Sequence, residues 1–536
     1  MSFDTIIQNA QIVDGTGAEP HTADLGISEG KIAAVGNLDP AECGRRIDAA
    51  GRCLTPGFID IHRHADAALF RPGFGEAELA QGLTTLINGN CGLSPAPIAP
   101  AGGDAAAYLR PVLGELPEQL RFPDFAAYFR AAEQAGLPLN CAELAGMGTI
   151  RVAAAGFSAG ELTKEQEHTL HRLLERALAD GVVGVSLGLG YAPECFYATD
   201  SLIRALAPLR QSGVRVTVHM RQEGDGVTEA LREMLTVARA LETPVEISHL
   251  KAIGKRNWRR AVPEMLELMA QAREEGVDVL CDAYPYPAGS TQLIHVLPPE
   301  FQEGGVEALT KALGDPDDRK AMRRRMETGT DFENITLLAG FENVHATSLR
   351  SPQYKPFEGK SIAEIAEVRS INPFDALFDL LKEERCGAGM IDFIADEADI
   401  DEILRSPLSA VISDATYPGE GLCHPRVYGA FPRLLERYVR ERQVLTLREA
   451  VHKITGQCAE RFGLTGKGRI APGMDADLCL FSPERIHETG TYAEPTRLAE
   501  GMDMVFVAGE VAFAQGHMTD ERRGRLLRHN QGGQTT

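Results

Sequence analysis

The chain has 536 residues, about three to four average domains by length, although α/β barrels run long as single units. Hydrophobic residues at 44% and charged residues at 24% are ordinary globular values, which excludes a fibrous, collagenous or largely disordered protein. The formal charge of −22 argues against a nucleic-acid partner, which needs a Lys/Arg footprint, and no apolar run reaches the roughly 18 residues of a bilayer span. The N-terminal stretch MSFDTIIQNAQIVDG has no basic, apolar leader, so the 10 cysteines read as reduced thiols. These features predict a soluble, cytoplasmic protein with neither a nucleic-acid nor a membrane partner.

Residues 1–55 alternate apolar and polar positions between Asp-Gly, Gly-rich and Pro-Gly turns, the pattern of short antiparallel strands. Residues 466–536 resume that style, so a small β-sandwich domain built from both termini is expected. Between them, in 56–465, eight β-type runs alternate with amphipathic helical stretches. The runs cover 57–64, 83–91, 139–146, 182–190, 214–220, 244–250, 277–284 and 408–415. That pattern predicts a (β/α)₈ TIM barrel, with a doubly wound sheet as the rival. Most runs recur roughly every 30 residues, one βα unit. The far longer gap before the eighth predicts an inserted subdomain after strand seven, at about 285–370.

Chemistry-bearing residues collect at the C-terminal ends of these runs, the rim where barrel active sites lie. His62 and His64 close the first run, two apart, so both side chains share one face while Arg63 points away. Cys91 ends the second run, His219 the fifth and His249 the sixth. Each alone has a structural alternative, a core histidine or a small buried thiol. Together one Cys and several His around a barrel mouth make a donor set suited to zinc. Asp414 ends the eighth run, where a carboxylate can ligate a metal, serve as general base, or cap a helix.

Several stretches carry a resemblance to the amidohydrolase superfamily, and within it the D-aminoacylase (N-acyl-D-amino-acid deacylase) group. They include PGFIDIHRHAD, GNCGLSPAP, VHMRQEGDGVTEA, ISHLKAIG, DAYPYPAGST, the SDA and HPR stretches and GRIAPGMDADL. Strand four, VVGVSLGLG, has no Lys, whereas many other amidohydrolases carry a carboxylated Lys there. The resemblance implies one tight zinc on Cys91, His219 and His249. It implies a second, weaker site on His62, His64 and Asp414, with Cys91 bridging. It also implies Lys251, Tyr191, Tyr284 and Arg426 as contacts for a substrate carboxylate.

Some positions depart from the group. HRHAD replaces the usual HTHDD, and Arg63 needs a partner among the surrounding helices, Asp66 being one candidate. Met147 stands where many relatives carry His, Glu143 is an extra carboxylate on strand three, and ATYPGEGLC follows Asp414 in place of a Gly-led stretch. The leading expectation is therefore a zinc-dependent amide hydrolase acting on N-acyl-D-amino acids, with Asp414 as the proton shuttle. The alternatives are a cyclic amide hydrolase of the hydantoinase or dihydropyrimidinase type and a non-catalytic scaffold on the same fold.

Overall fold

Each of the eight runs contains a strand: Phe58–Asp60, Leu83–Asn88, Asn140–Gly146, Gly184–Gly188, Arg215–His219, Val245–Ile247, Val279–Ala283 and Ser409–Val411. They pair in chain order and in parallel, each with the next. Just past the first and last strands, Asp414 N donates to His62 O at 2.9 Å and His64 N donates to Ala415 O at 3.0 Å. These bonds close the sheet into a barrel. Almost every strand residue is buried, as expected of strands covered on both faces. The computed structural model describes residues 2–39, 41–99, 103–529 and 535–536.

The covering helices follow from local sequence. Lys164–Asp180 starts at a capping box of Thr163 and Gln166 and stops at Gly181, whose φ of 105° suits a residue without Cβ. It buries Leu170, Leu174 and Ala177, one stripe at helical spacing. Residues from both termini share one nine-stranded sheet, in which Cys53–Pro56 pairs with Leu478–Phe481. That sheet has its own core of residues such as Ile7, Leu25, Leu54, Leu478 and Phe506. The C-terminal tail leaves this sheet. Gly524 and Leu527 donate main-chain bonds to Leu137 and Cys141, so the tail lies on the barrel and not within the β domain assigned to 466–536.

Between the seventh and eighth barrel strands the chain builds a three-stranded antiparallel sheet. It comprises Ala288–Gln292, Val344–Thr347 and Gly389–Phe393, with helices packed over a second apolar core. The inserted structure therefore runs past the expected limit near residue 370. The charged helical opening of the insertion is plain in the sequence, but its last strand resembles any other apolar run.

Candidate active site and metal centre

The rim residues reach the barrel mouth through tight backbone turns. Cys91, His249 and Asp414 have φ of 54°, 38° and 52°, in the left-handed region that non-glycine residues rarely adopt. Such strain persists only where surrounding structure enforces it, and it gathers at functional sites. Two glycines make the space: Gly92 has φ of 74°, and a Cβ at Gly190 would lie 2.7 Å from His219 Nε2.

The result is one continuous donor cluster, all buried. Ligand atoms of Cys91, His219 and His249 lie within 4.8 Å of one another, as do those of His62, His64, Cys91 and Asp414. Cys91 Sγ, shared by both groups, sits 3.3 Å from His62 Nε2 and 3.5 Å from His249 Nε2. Asp414 Oδ1 is 3.3 Å from Nε2 of both His62 and His64. Burial would push the Cys91 thiol up, but His62 and His249 hold it well below its ordinary value. Burial likewise opposes a proton on His62, yet Cys91, Asp282 and Asp414 raise it well above the usual range. Inward-facing lone pairs backed by a thiolate and a carboxylate are what a soft-to-borderline divalent cation requires, so the donor set fits a metal.

A further layer orients these groups. Glu223 Oε1 lies 2.9 Å from His249 Nδ1, and Lys251 Nζ donates to the same oxygen at 2.8 Å. Burial alone would raise the Glu223 carboxyl, but Lys251 and the two histidines hold it well below the carboxylate range. Asp282 Oδ1 accepts from His249 N at 2.5 Å and lies 3.6 Å from His62 Nδ1. A carboxylate behind a ligand imidazole sets its tautomer and raises its basicity. Arg426 is fully buried, and its Nη1 lies 2.9 Å from Asp414 Oδ2. Burial would raise Asp414, but Arg426 and His62 hold it well below its usual value. His424 positions the arginine: its Nε2 donates to Ala288 O at 3.1 Å and its Nδ1 accepts from Arg426 N at 3.0 Å.

The cluster floors a small cavity at the barrel mouth. Lys251, Tyr191 and Tyr284 line it, with Tyr191 Oη 3.0 Å from Thr291 Oγ1. Arg426 stands one layer back, behind Asp414. Glu143 is not on the wall. It accepts from Tyr128 Oη at 2.6 Å and Asn88 Nδ2 at 3.1 Å, and burial with Asp66 beside it pushes its carboxyl well up. Arg63 points away from the metal side as expected, but Asp66 is not its partner. Asp60 at 3.2 Å and Glu78 at 2.9 Å take that role, because the arginine lies between the first strand and the following helix. Met147 is buried as the first residue of the helix Met147–Ala155.

Sequence reading did not single out Glu223, Asp282, His295, Glu333 or Asp392. Glu223 had a signal, four residues after His219 in VHMRQEG. His295, Glu333 and Asp392 come from the insertion, where no periodic pattern marks them. His219, His295 and Glu333 form a third set with ligand atoms within 4.8 Å.

Residues 45–513 match the amidohydrolase family. The chain is 34% identical to a D-aminoacylase of Alcaligenes xylosoxydans xylosoxydans, over 98% of this chain and 97% of that one. It is also 34% identical to an N-acyl-D-glutamate deacylase of the same organism, with the same coverage. Its fold is similar to an N-acyl-D-glutamate deacylase of Bordetella bronchiseptica solved with zinc and a phosphonate mimic of the tetrahedral intermediate. That match has a TM-score of 0.84 at 32% identity and covers 98% of this chain and 100% of that chain.

Proposed function

Because this chain belongs to the amidohydrolase family, we propose that it is a zinc-dependent deacylase of N-acyl-D-amino acids, releasing a carboxylate and a free D-amino acid. The observation that carries this reading is the cluster of Cys91, His219 and His249 on the floor of the cavity at the barrel mouth, with Asp414 alongside. In it, Cys91, His219 and His249 would hold one zinc tightly, while His62, His64 and Asp414, with Cys91 shared, would form a weaker second site. When bound, zinc supplies Lewis acidity toward a carbonyl and a water that ionises near neutral pH.

The protein groups divide the remaining work. Asp414 Oδ2 is engaged by Arg426, and Oδ1, beside His62 and His64, is the oxygen that takes a proton from the attacking water and returns it to the leaving nitrogen. Arg426, reading from its buried position, keeps that carboxylate ionised and aimed. Lys251, Tyr191 and Tyr284 offer one cation and two hydroxyl donors to the substrate carboxylate, with Arg426 adding positive charge behind them. Burial of these side chains strengthens each of these contacts. Among the described residues no helix is long and apolar enough to cross a membrane. We place the enzyme in the reducing cytoplasm, a reading supported by ten free cysteines.

The test is hydrolysis by zinc-loaded protein of paired N-acetyl-D- and N-acetyl-L-amino acids beside a hydantoin. Turnover of the D-series alone, lost on chelation and restored by zinc, is the expected result. Preference for the hydantoin, or full activity after chelation, would overturn it.

A further inference from the structure

The cavity above the donor cluster also carries a carboxylate that the reaction does not use. Asp392 sits on the inserted strand Gly389–Phe393, in register with Gly289 of the neighbouring strand. It is 3% exposed and lines the cavity. A Cβ at Gly289 would lie 2.8 Å from Asp392 Oδ1 and 3.3 Å from Tyr284 Oη, so the missing side chain leaves open the space these two groups share.

Every other carboxylate lining the cavity already has a donor. Glu223 holds Lys251 at 2.8 Å, and Asp414 holds Arg426 at 2.9 Å. Glu333 accepts from Glu223 N at 2.6 Å and lies 3.3 Å from His295 Nε2. Among the described residues nothing donates a hydrogen bond to the Asp392 side chain. The nearby cations are committed elsewhere, Lys251 to Glu223, Arg426 to Asp414 and His295 to Glu333. Burial pushes the Asp392 carboxyl up to about 6, only partly offset by the charges of Lys251 and His295. A carboxylate that lines a cavity with no protein donor in contact is free to accept one from a ligand.

Resting on the deacylase reading above, we propose that Asp392 is a specificity-determining residue that receives a protonated nitrogen of the substrate. The preferred substrates are then N-acyl-D-amino acids bearing an ammonium or guanidinium group, on either the D-residue or the acyl portion. A neutral donor would meet the same carboxylate less well, since charge-assisted hydrogen bonds are about twice as strong. An acidic side chain would set a second negative charge beside it, so this site disfavours the N-acyl-D-glutamate for which one relative is named.

Two pairs of nearly isosteric substrates separate the two sources of the cation. N-acetyl-D-lysine against N-acetyl-D-norleucine places it on the side chain, and glycyl-D-norleucine against propionyl-D-norleucine places it on the acyl group. The zinc-loaded enzyme should favour the cationic member of one pair in kcat/KM by roughly 10- to 100-fold, the worth of one charge-assisted hydrogen bond. Asp392→Asn should collapse that ratio toward unity, whereas Asp392→Glu should keep its sign. N-acetyl-D-glutamate should be the poorest substrate tested.

Ratios near one in both pairs for the wild type would overturn the proposal, as would a ratio that Asp392→Asn leaves intact. If no N-acyl-D-amino acid is turned over, the deacylase reading fails. The same pairs then serve as ligands in calorimetry, where equal Kd for cationic and neutral members overturns the Asp392 subsite separately.

Discussion

Replacing Arg63 by methionine probes the charge network that joins the first and last barrel strands beside the metal cluster. The guanidinium is fully buried and reaches Tyr417 Oη at 2.6 Å, Glu78 Oε1 and Val427 O at 2.9 Å, Ser413 Oγ at 3.0 Å and Asp60 Oδ2 at 3.2 Å. Methionine fills part of the stem's volume but strands two buried carboxylates. Breaking a buried ion pair from one side costs about 3–5 kcal/mol. Proton uptake by Asp60, whose carboxyl burial already pushes up against the pull of Arg63, caps the penalty on that side at no more than the roughly 4 kcal/mol of holding an ordinary carboxyl neutral at pH 7. Ser413 N and Gly75 N, each at 3.1 Å, still donate to Asp60 and Glu78. The expected loss at pH 7 is therefore about 3–4 kcal/mol. Because protonating Asp60 becomes cheaper by about 1.4 kcal/mol per pH unit, the loss should shrink by up to about 2.8 kcal/mol, to about 1 kcal/mol or less, at pH 5. Urea unfolding of wild type, Arg63→Met and Arg63→Lys at both pH values measures this, with the lysine variant intermediate. A loss below about 1 kcal/mol at pH 7, or one that does not shrink on acidification, would refute the reasoning.

Three further outcomes follow from the same geometry. Elemental analysis of the purified protein should find at least about one zinc per chain, and Cys91→Ala should lose most of it, since that thiol belongs to both donor groups. Asp414→Asn should keep the metal held by Cys91, His219 and His249 while turnover falls roughly 10²–10⁴-fold, and near-normal turnover would place the base elsewhere. Glu194, buried and accepting from Gly188 N at 3.0 Å, is pushed by burial from 4.5 up to about 8. Its folded value exceeds its unfolded one, so its contribution to stability is full below about pH 4.5 and is lost as pH rises through about 8. Melting curves should show Glu194→Gln gaining on the wild type across that window, and a constant gap would mean the carboxyl is not shifted.

Much of the barrel was legible because its signals are local. Parallel strands buried on both faces read as continuous apolar runs, and a helix such as Lys164–Asp180 announces itself by its cap, its stripe and its terminal glycine. The donors were legible for a related reason: His62, His64, Cys91, His219, His249 and Asp414 each close one run, and a closed barrel must bring strand ends to one rim. Residue type and position along the strand therefore implied proximity without any knowledge of the contacts.

What tertiary structure decided lies where direction and partnership depend on other segments. Arg426 follows a loop whose sequence does not say whether the side chain enters the cavity, and packing turned it onto Asp414 instead. Arg63 had to be paired, but Glu78 became a partner only because its helix folds against the first strand. Glu143 points to Tyr128 and away from the cavity, a choice set by strand register within the closed barrel. His295, Glu333 and Asp392 come from three separate parts of the insertion and share one wall only after its sheet has formed. No periodicity links such residues, because the pairing that unites them spans distant stretches of chain and leaves no local trace.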